Sequence, residues 1–376
     1  MTTNLMDASR QLTNRPADEH FADFASMKQA ARFDRDHSRT VELPLASLIV
    51  RAGSEGLLLG RNGGDNAFYP MTFHGARAVA RHAGASPDFV FGRLSPETAA
   101  LALTEGLQRS PDSIDKVQLL IGTVSKADGS VVSPRVRAIT SPSYRRVWDA
   151  DVLEEIDRWL IPHGFKPALP TKNTDAQKNN IMGNNKPALF RGGADSFAFF
   201  MHEEGTGGAG DRPIRRGLMF RNSEIGTAAL APTRFIFDDM CANFIIWGAK
   251  AISSLRIIHR GRSDTNLLRR FRDELRQITP TVAAQELDVL NKAAVKVFAP
   301  SVEKAGERLN AQFGLSTANA KLALERAAWS ENRGTKTLTH AWVANGVTSL
   351  AKETTFADNL VELATIGGDI YLAGAV

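Results

Sequence analysis

Arginine is the residue type through which this chain could do chemistry. Seven of them, Arg256, Arg260, Arg262, Arg269, Arg270, Arg272 and Arg276, fall within one stretch whose only acids are Asp264, Asp273 and Glu274. The planar guanidinium binds phosphate bidentately and stacks on bases, two contacts that lysine does not combine. On a helix over 264–277, Arg269, Arg272 and Arg276 recur at spacings of three and four. They are expected to face solvent, opposite Leu268, Phe271 and Leu275, although Asp273 can pair with Arg269. Arg256, Arg260 and Arg262 lead into that helix and would extend the basic track beyond it. A second candidate is Tyr144-Arg145-Arg146 with Trp148, where phosphate donors interleave with stacking rings, as in single-strand binders. Packing of both aromatics in a core is the plainer account, and Trp148 stands where a staple residue precedes a helix. Arg215, Arg216 and Arg221 lead into the turn Asn222-Ser223-Glu224-Ile225-Gly226, whose amides and hydroxyl could hold a phosphate. Arg135 and Arg137, two residues apart on a strand, are expected to share a face.

Other chemistries find less support. Glu203, Glu204, Asp211, Glu224, Asp238 and Asp239 are oxygen donors of the kind used in two-metal phosphoryl transfer, but their spacing fixes no geometry. The 8 histidines are scattered, and one cysteine, Cys241, neither completes a zinc site nor permits an internal disulfide. Cys241 sits among apolar neighbours and reads as a small buried hydrophobe. Gly205-Thr206-Gly207-Gly208-Ala209-Gly210 fits G-x-G-x-x-G, yet Asp211-Arg212-Pro213 and a strand follow where a helix would have to open. No Gly-Lys-Ser or Gly-Lys-Thr phosphate loop is present, and no cofactor is expected.

The elements that must position these residues are legible in part. Residues 1–40 are polar, with Phe21, Phe24 and Phe33 too sparse for a core, and are expected to form a partly ordered arm. Strands are expected at 41–50 and 57–59, helices after Thr72 and after Ser95-Pro96-Glu97, and a hairpin on Asp128-Gly129 between 117–124 and 131–139. Pro134 places the second hairpin strand at an edge or a bulge. Asp149 is expected to cap a helix over 149–162, and 170–195 reads as a long mobile loop. Strands follow at 196–201 and through the centre. Beyond Ser263 the pattern turns helical, with further helices at 281–298, 301–313, 317–330 and 338–352. The fold class expected is α+β: a core over 41–255 with mainly antiparallel sheet and packed helices, then a mainly helical region over 256–376.

Over 376 residues the net charge is +5, and 43% apolar with 23% charged residues is ordinary for a globular chain. No apolar run is long enough to span a membrane and the N-terminus carries no signal peptide, so no membrane association and a cytoplasmic location are expected.

Arg216-Gly217-Leu218-Met219-Phe220-Arg221-Asn222-Ser223-Glu224-Ile225-Gly226, then Phe235-Ile236-Phe237 and Cys241-Ala242-Asn243-Phe244-Ile245-Ile246-Trp247-Gly248-Ala249, resemble the uncharacterised phage/plasmid-like protein family. Arg137-Ala138-Ile139-Thr140-Ser141-Pro142-Ser143-Tyr144 resembles that family's arginine-to-tyrosine segment. The resemblance spans about 40–350 and implies a mobile-element setting, with no catalytic residues to carry over. Together with the basic segments it leads to an expected DNA-binding protein of phage or plasmid replication and recombination. Single-stranded DNA is the expected partner, with self-association and an annealing-type role drawn from context and charge. Two alternatives stand beside it: a metal-dependent enzyme on nucleic acid using Glu224, Asp238 or Asp239, and a structural or interaction protein of a mobile element that binds no DNA.

Overall fold

The computed structural model describes residues 17–63, 67–109, 115–168, 188–203, 206–207, 213–238, 243–246, 264–277, 284–330, 338–350 and 357–375. Within them the chain is α+β, with antiparallel sheets and a helical C-terminal region. Residues 17–36, expected to form an arm, belong to the core instead. Asp23 accepts the Ser26 amide at 2.7 Å and starts helix α1 (Phe24–Asp36), which buries Met27, Ala31 and Asp34. The few apolar residues suffice because this helix shares the core of a later sheet rather than forming its own.

Strands β1 (Arg39–Pro44), β2 (Leu48–Gly53), β3 (Gly56–Arg61) and β4 (Tyr69–Pro70) follow, then helices α2 (Phe73–His82), α3 (Pro87–Arg93) and α4 (Pro96–Gln108). Thr72 and Ser95 cap α2 and α4 as their types dictate. The hairpin β5 (Lys116–Ser125) and β6 (Val131–Thr140) turns at Asp128-Gly129, with Gly129 at φ +86°. Two three-stranded sheets result, β2-β3-β4 and β1-β5-β6, packed with α2 to α4 around Val50, Leu59, Val79, Leu103 and Val117. Strand β6 is an edge strand and is also irregular. Leu120 opposes Ala138 while Ile121 opposes Val136, so Arg137 is the extra residue of a β-bulge.

Helix α5 (Asp149–Trp159) precedes strands β7 (Phe165–Pro167), β8 (Leu189–Arg191), β9 (Ser196–His202), β10 (Thr206–Gly207), β11 (Pro213–Asn222), β12 (Ala231–Asp238) and β13 (Asn243–Ile246). They form one antiparallel sheet in the order β13-β12-β11-β9-β7, with β10 on β11 and β8 on β9. Gly217 faces Phe235 across β11 and β12, and the Phe235 ring occupies the space a Cβ would need. Helix α1 runs along α5 with a ladder of ion pairs, Lys28–Asp157 at 2.5 Å, Arg32–Glu154 at 3.0 Å and Arg35–Asp151 at 2.8 Å. Helix α6 (Asp264–Arg276) places Leu267, Phe271 and Leu275 in the same core as Phe200 and Phe220. Helix α6, placed by the expected 255/256 boundary with the helical region, shares its core with the sheet.

Helices α7 (Ala284–Val295), α8 (Val302–Phe313), α9 (Thr317–Ser330), α10 (His340–Leu350) and α11 (Ala357–Ala375) build a separate core of Leu290, Leu309, Leu324, Val343 and Ile370. Ile236 of β12 joins that core, and Arg216 of β11 pairs with Glu286 of α7, which fastens the helical region to the sheet. Among the described residues no helix is long and apolar enough to cross a membrane.

Candidate functional site

The centre of the molecule is an ionic cluster that sequence reading did not assemble. Arg191 closes strand β8, inside the stretch expected to be a mobile loop; residues 170–187 of that stretch lie outside the described residues. Its side chain is 0% exposed and donates from Nη1 to Asp34 Oδ2 at 2.6 Å and from Nε to Asp149 Oδ2 at 3.1 Å. Asp34 also accepts from Thr123 Oγ1 at 2.8 Å and from the Ser125 amide at 2.9 Å. Asp149 accepts from Ser196 Oγ at 2.7 Å and Asn222 Nδ2 at 2.8 Å. Glu224 accepts from Arg137 Nη2 at 2.7 Å and from the Asp149 amide at 3.0 Å, and Arg146 donates to the Glu224 carbonyl. Three guanidinium groups thus face three carboxyl groups in a region closed to solvent, so the formal charges cancel when all are ionised.

Each carboxyl answers its surroundings differently. Burial works against ionisation of Asp34, but Arg191, the Ser125 amide and Arg137 outweigh it and hold the group below the usual carboxylate range. Burial opposes ionisation of Glu224 too, and Arg137 and Arg191 prevail over it. At Asp149 burial and the Glu224 charge win over Arg191, Ser196 and Asn222, and its pKa is pushed up to about 6. Burial draws Arg146 down to about 10 and pushes the Tyr144 hydroxyl up.

Asp149 is not the cap of α5. Trp148 holds that position without a side-chain bond, Asp149 is the first helical residue, and Glu224 supplies the acceptor from the turn after β11. A carboxylate there also meets the positive end of the helix dipole.

The arginines expected to contact nucleic acid occupy different surroundings. Arg137 and Arg146 are 2% and 9% exposed and belong to the cluster; Arg216 is 4% exposed and paired with Glu286. Arg146 and Arg216 are committed to partners inside the molecule, and Arg137 meets the outside only through a cavity. Tyr144 donates to the Ser223 carbonyl at 3.0 Å, and Arg146 lies over both Tyr144 and Trp148, so the interleaving read at 144–148 is internal. Arg145 bonds the Pro142 carbonyl, Arg215 the Glu203 carbonyl, and Arg221 pairs with Asp195 at 2.7 Å. Arg135 does not share the surroundings of Arg137, because the bulge breaks the two-residue alternation; it pairs with Glu55 at 3.1 Å. On α6, Arg272 forks onto Glu155 of α5 at 2.6 and 2.7 Å and Arg276 lies 4.1 Å from the centre of the Trp159 ring, so both serve helix packing. Arg269 and Arg276 are both exposed, and Arg272 is half-buried. Arg260 and Arg262 lie outside the described residues, as do Cys241, Asp239 and the side chain of Asp238. Glu224 faces arginines and an amide, and among the described residues no group of three His, Cys, Asp or Glu is placed to hold a metal.

Two features remain on the solvent side. A cavity of about 320 Å³ lies between α2, the bulge of β6 and the turn after β11, lined by Phe73, Arg77, Arg81, Arg137, Ile139 and Ile225. The second is a pair of arginine–ring stacks. Arg51 of β2 sits 4.0 Å from the centre of the Phe68 ring, and Arg39 of β1 sits 5.5 Å from that of Tyr69 while its Nη2 donates to the Tyr69 hydroxyl at 2.6 Å. Both arginines are exposed and both rings are half-exposed. Sequence reading missed these four because the partners are separated along the chain. The run Phe73, Arg77, Arg81, at helical spacing of four, was the signal available for the cavity.

Comparison with protein-family models, with curated proteins and with solved structures finds no match to this chain.

Proposed function

We propose that this protein binds single-stranded DNA, without catalysing a reaction on it, in phage or plasmid replication or recombination. The observation that carries the reading is the pair of surface stacks, Arg51 on Phe68 and Arg39 on Tyr69. A guanidinium resting one face on a ring still presents its N–H edge to a phosphate and its outer face to an unpaired base. Stacking of this kind tolerates any base and needs bases that are not already paired, which favours a single strand over a duplex. The resemblance of 216–226 and 241–249 to a phage and plasmid family supports the mobile-element setting.

The test is anisotropy of a labelled oligothymidylate against wild type and Phe68→Ala. Loss of one stacked base is worth about 1–3 kcal/mol, so the variant should bind about ten- to a hundredfold more weakly at an unchanged melting temperature. Equal affinity of variant and wild type, or equal affinity of wild type for single strand and duplex, would overturn the reading.

A further inference from the structure

We infer that the cavity between α2, the β6 bulge and the turn after β11 is a binding site for a nucleoside phosphate unit. It is distinct from the stacked surface and does not depend on it. The inference starts from Arg137. Its side chain is 2% exposed, only Nη2 is used, on Glu224, and Nε and Nη1 have no hydrogen-bond partner among the described residues. Buried guanidinium nitrogens left unpaired are costly, and a residue that lines a cavity in this state calls for an acceptor from outside the chain.

The construction around it is specific. Arg137 is the extra residue of the bulge, and bulges re-aim side chains. Helix α2 is seated directly on that bulge: the Thr72 amide donates to the Val136 carbonyl at 3.0 Å, and Gly75 lies so close to the same carbonyl that no Cβ would fit. The seating turns one face of α2, carrying Phe73, Arg77 and Arg81, toward Arg137. Three arginines from two elements therefore border one space, with Glu224 already on Arg137 and Asp88 on Arg77 at 2.7 Å. With His74 neutral the formal balance is one positive charge, which neutralises a phosphodiester and attracts a phosphate monoester.

The rest of the lining combines an apolar wall, Phe73, Ala138, Ile139 and Ile225, with the polar side chains of His74 and Thr227. A bare inorganic anion would leave that wall uncovered, whereas a sugar or base attached to the phosphate would cover it. The volume of about 320 Å³ is at the small end for ligand sites and has room for one such unit, not for a duplex. The unit can come from a free mononucleotide or from one nucleotide of a strand.

The experiment is calorimetric titration of the full chain with a deoxynucleoside monophosphate, the same nucleoside without phosphate, inorganic phosphate, and a short single-stranded oligonucleotide. Arg137 is unsuitable for substitution because it also holds Glu224, so the variants are Arg81→Gln, which is exposed, and Ala78→Leu, which fills the cavity from α2. The monophosphate or the oligonucleotide should bind, and the nucleoside and inorganic phosphate far more weakly. Arg81→Gln should weaken binding about tenfold, as for one charge-assisted hydrogen bond, and Ala78→Leu should abolish nucleotide binding. Binding of the free monophosphate identifies a nucleotide site; binding of the oligonucleotide alone, still lost in Ala78→Leu, identifies a nucleotide held within a strand. Phe68→Ala should leave monophosphate binding unchanged, so failure of the stacked surface and failure of the cavity are separable. No binding of either phosphate ester, or binding unaltered by both variants, would overturn the inference.

Discussion

Glu224 Oε1 accepts the backbone amide of Asp149 at 3.0 Å, so helix α5 is capped by a carboxylate that lies 75 residues further along the chain. The same carboxylate neutralises Arg137. One residue of the turn after β11 therefore joins the start of α5 to the bulge of β6, and Glu224→Ala removes a cap and a buried counter-charge together. It should lower unfolding free energy by about 3–5 kcal/mol, measured by urea denaturation. Glu224→Gln retains an acceptor for the Asp149 amide and should cost less than the alanine variant.

Arg191 stands between Asp34 and Asp149, and Arg191→Met should leave two buried carboxyl groups without their guanidinium. A loss of about 3–5 kcal/mol is expected. Adding Asp34→Asn to Arg191→Met should destabilise less than the sum of the two single changes, because the second removes a charge that the first has orphaned. Simple additivity in a double-mutant cycle would show that the pair is not coupled.

The cluster also fixes a dependence on pH. Between the ordinary aspartate value and about 6, native Asp149 keeps a proton that the unfolded chain has released, so its contribution to stability falls as pH rises through that window. Asp34 and Glu224 act in the opposite sense: their contribution is present above the usual carboxylate range and is lost as pH falls through their lowered values. Asp149→Asn cannot titrate, so its destabilisation should be largest near pH 4 and shrink toward pH 7, by an amount on the order of 2–3 kcal/mol. Denaturation curves of both proteins across that range check the sign.

The helix α6 arginines separate into two kinds. Arg272→Gln loses the fork onto Glu155 and should lower stability by about 0.5–1 kcal/mol, as for a partly exposed pair. Arg269→Gln should leave the melting temperature unchanged. Equal effects from the two would contradict the packing described for α5 and α6.

How much of this the sequence revealed depended on the range of the interaction. The Asp128-Gly129 hairpin, the caps Thr72 and Ser95 and the helices beyond Ser301 are set by neighbours in sequence, and they are legible there. The bulge at Arg137 was signalled only indirectly, by Pro134. Arg191 and Asp34 are isolated charges in polar-looking stretches; their meaning comes from partners 157 residues apart, which no periodicity reveals. On α6, Arg272 departs from the expected solvent-facing row for a related reason, while Arg269 and Arg276 are exposed. A helix face opposite an apolar stripe faces solvent only if no second helix covers it, and α5 reaches Arg272 and Arg276.

The most direct test of single-strand binding is the dependence of affinity on salt. For wild type, log affinity for a labelled single strand should fall linearly with log salt, and Arg39→Gln and Arg51→Gln should each reduce that slope by about 0.7, one released counterion apiece. A flat salt dependence, or slopes in both variants equal to wild type, would contradict a phosphate-binding role for the stacked arginines and the function proposed from them.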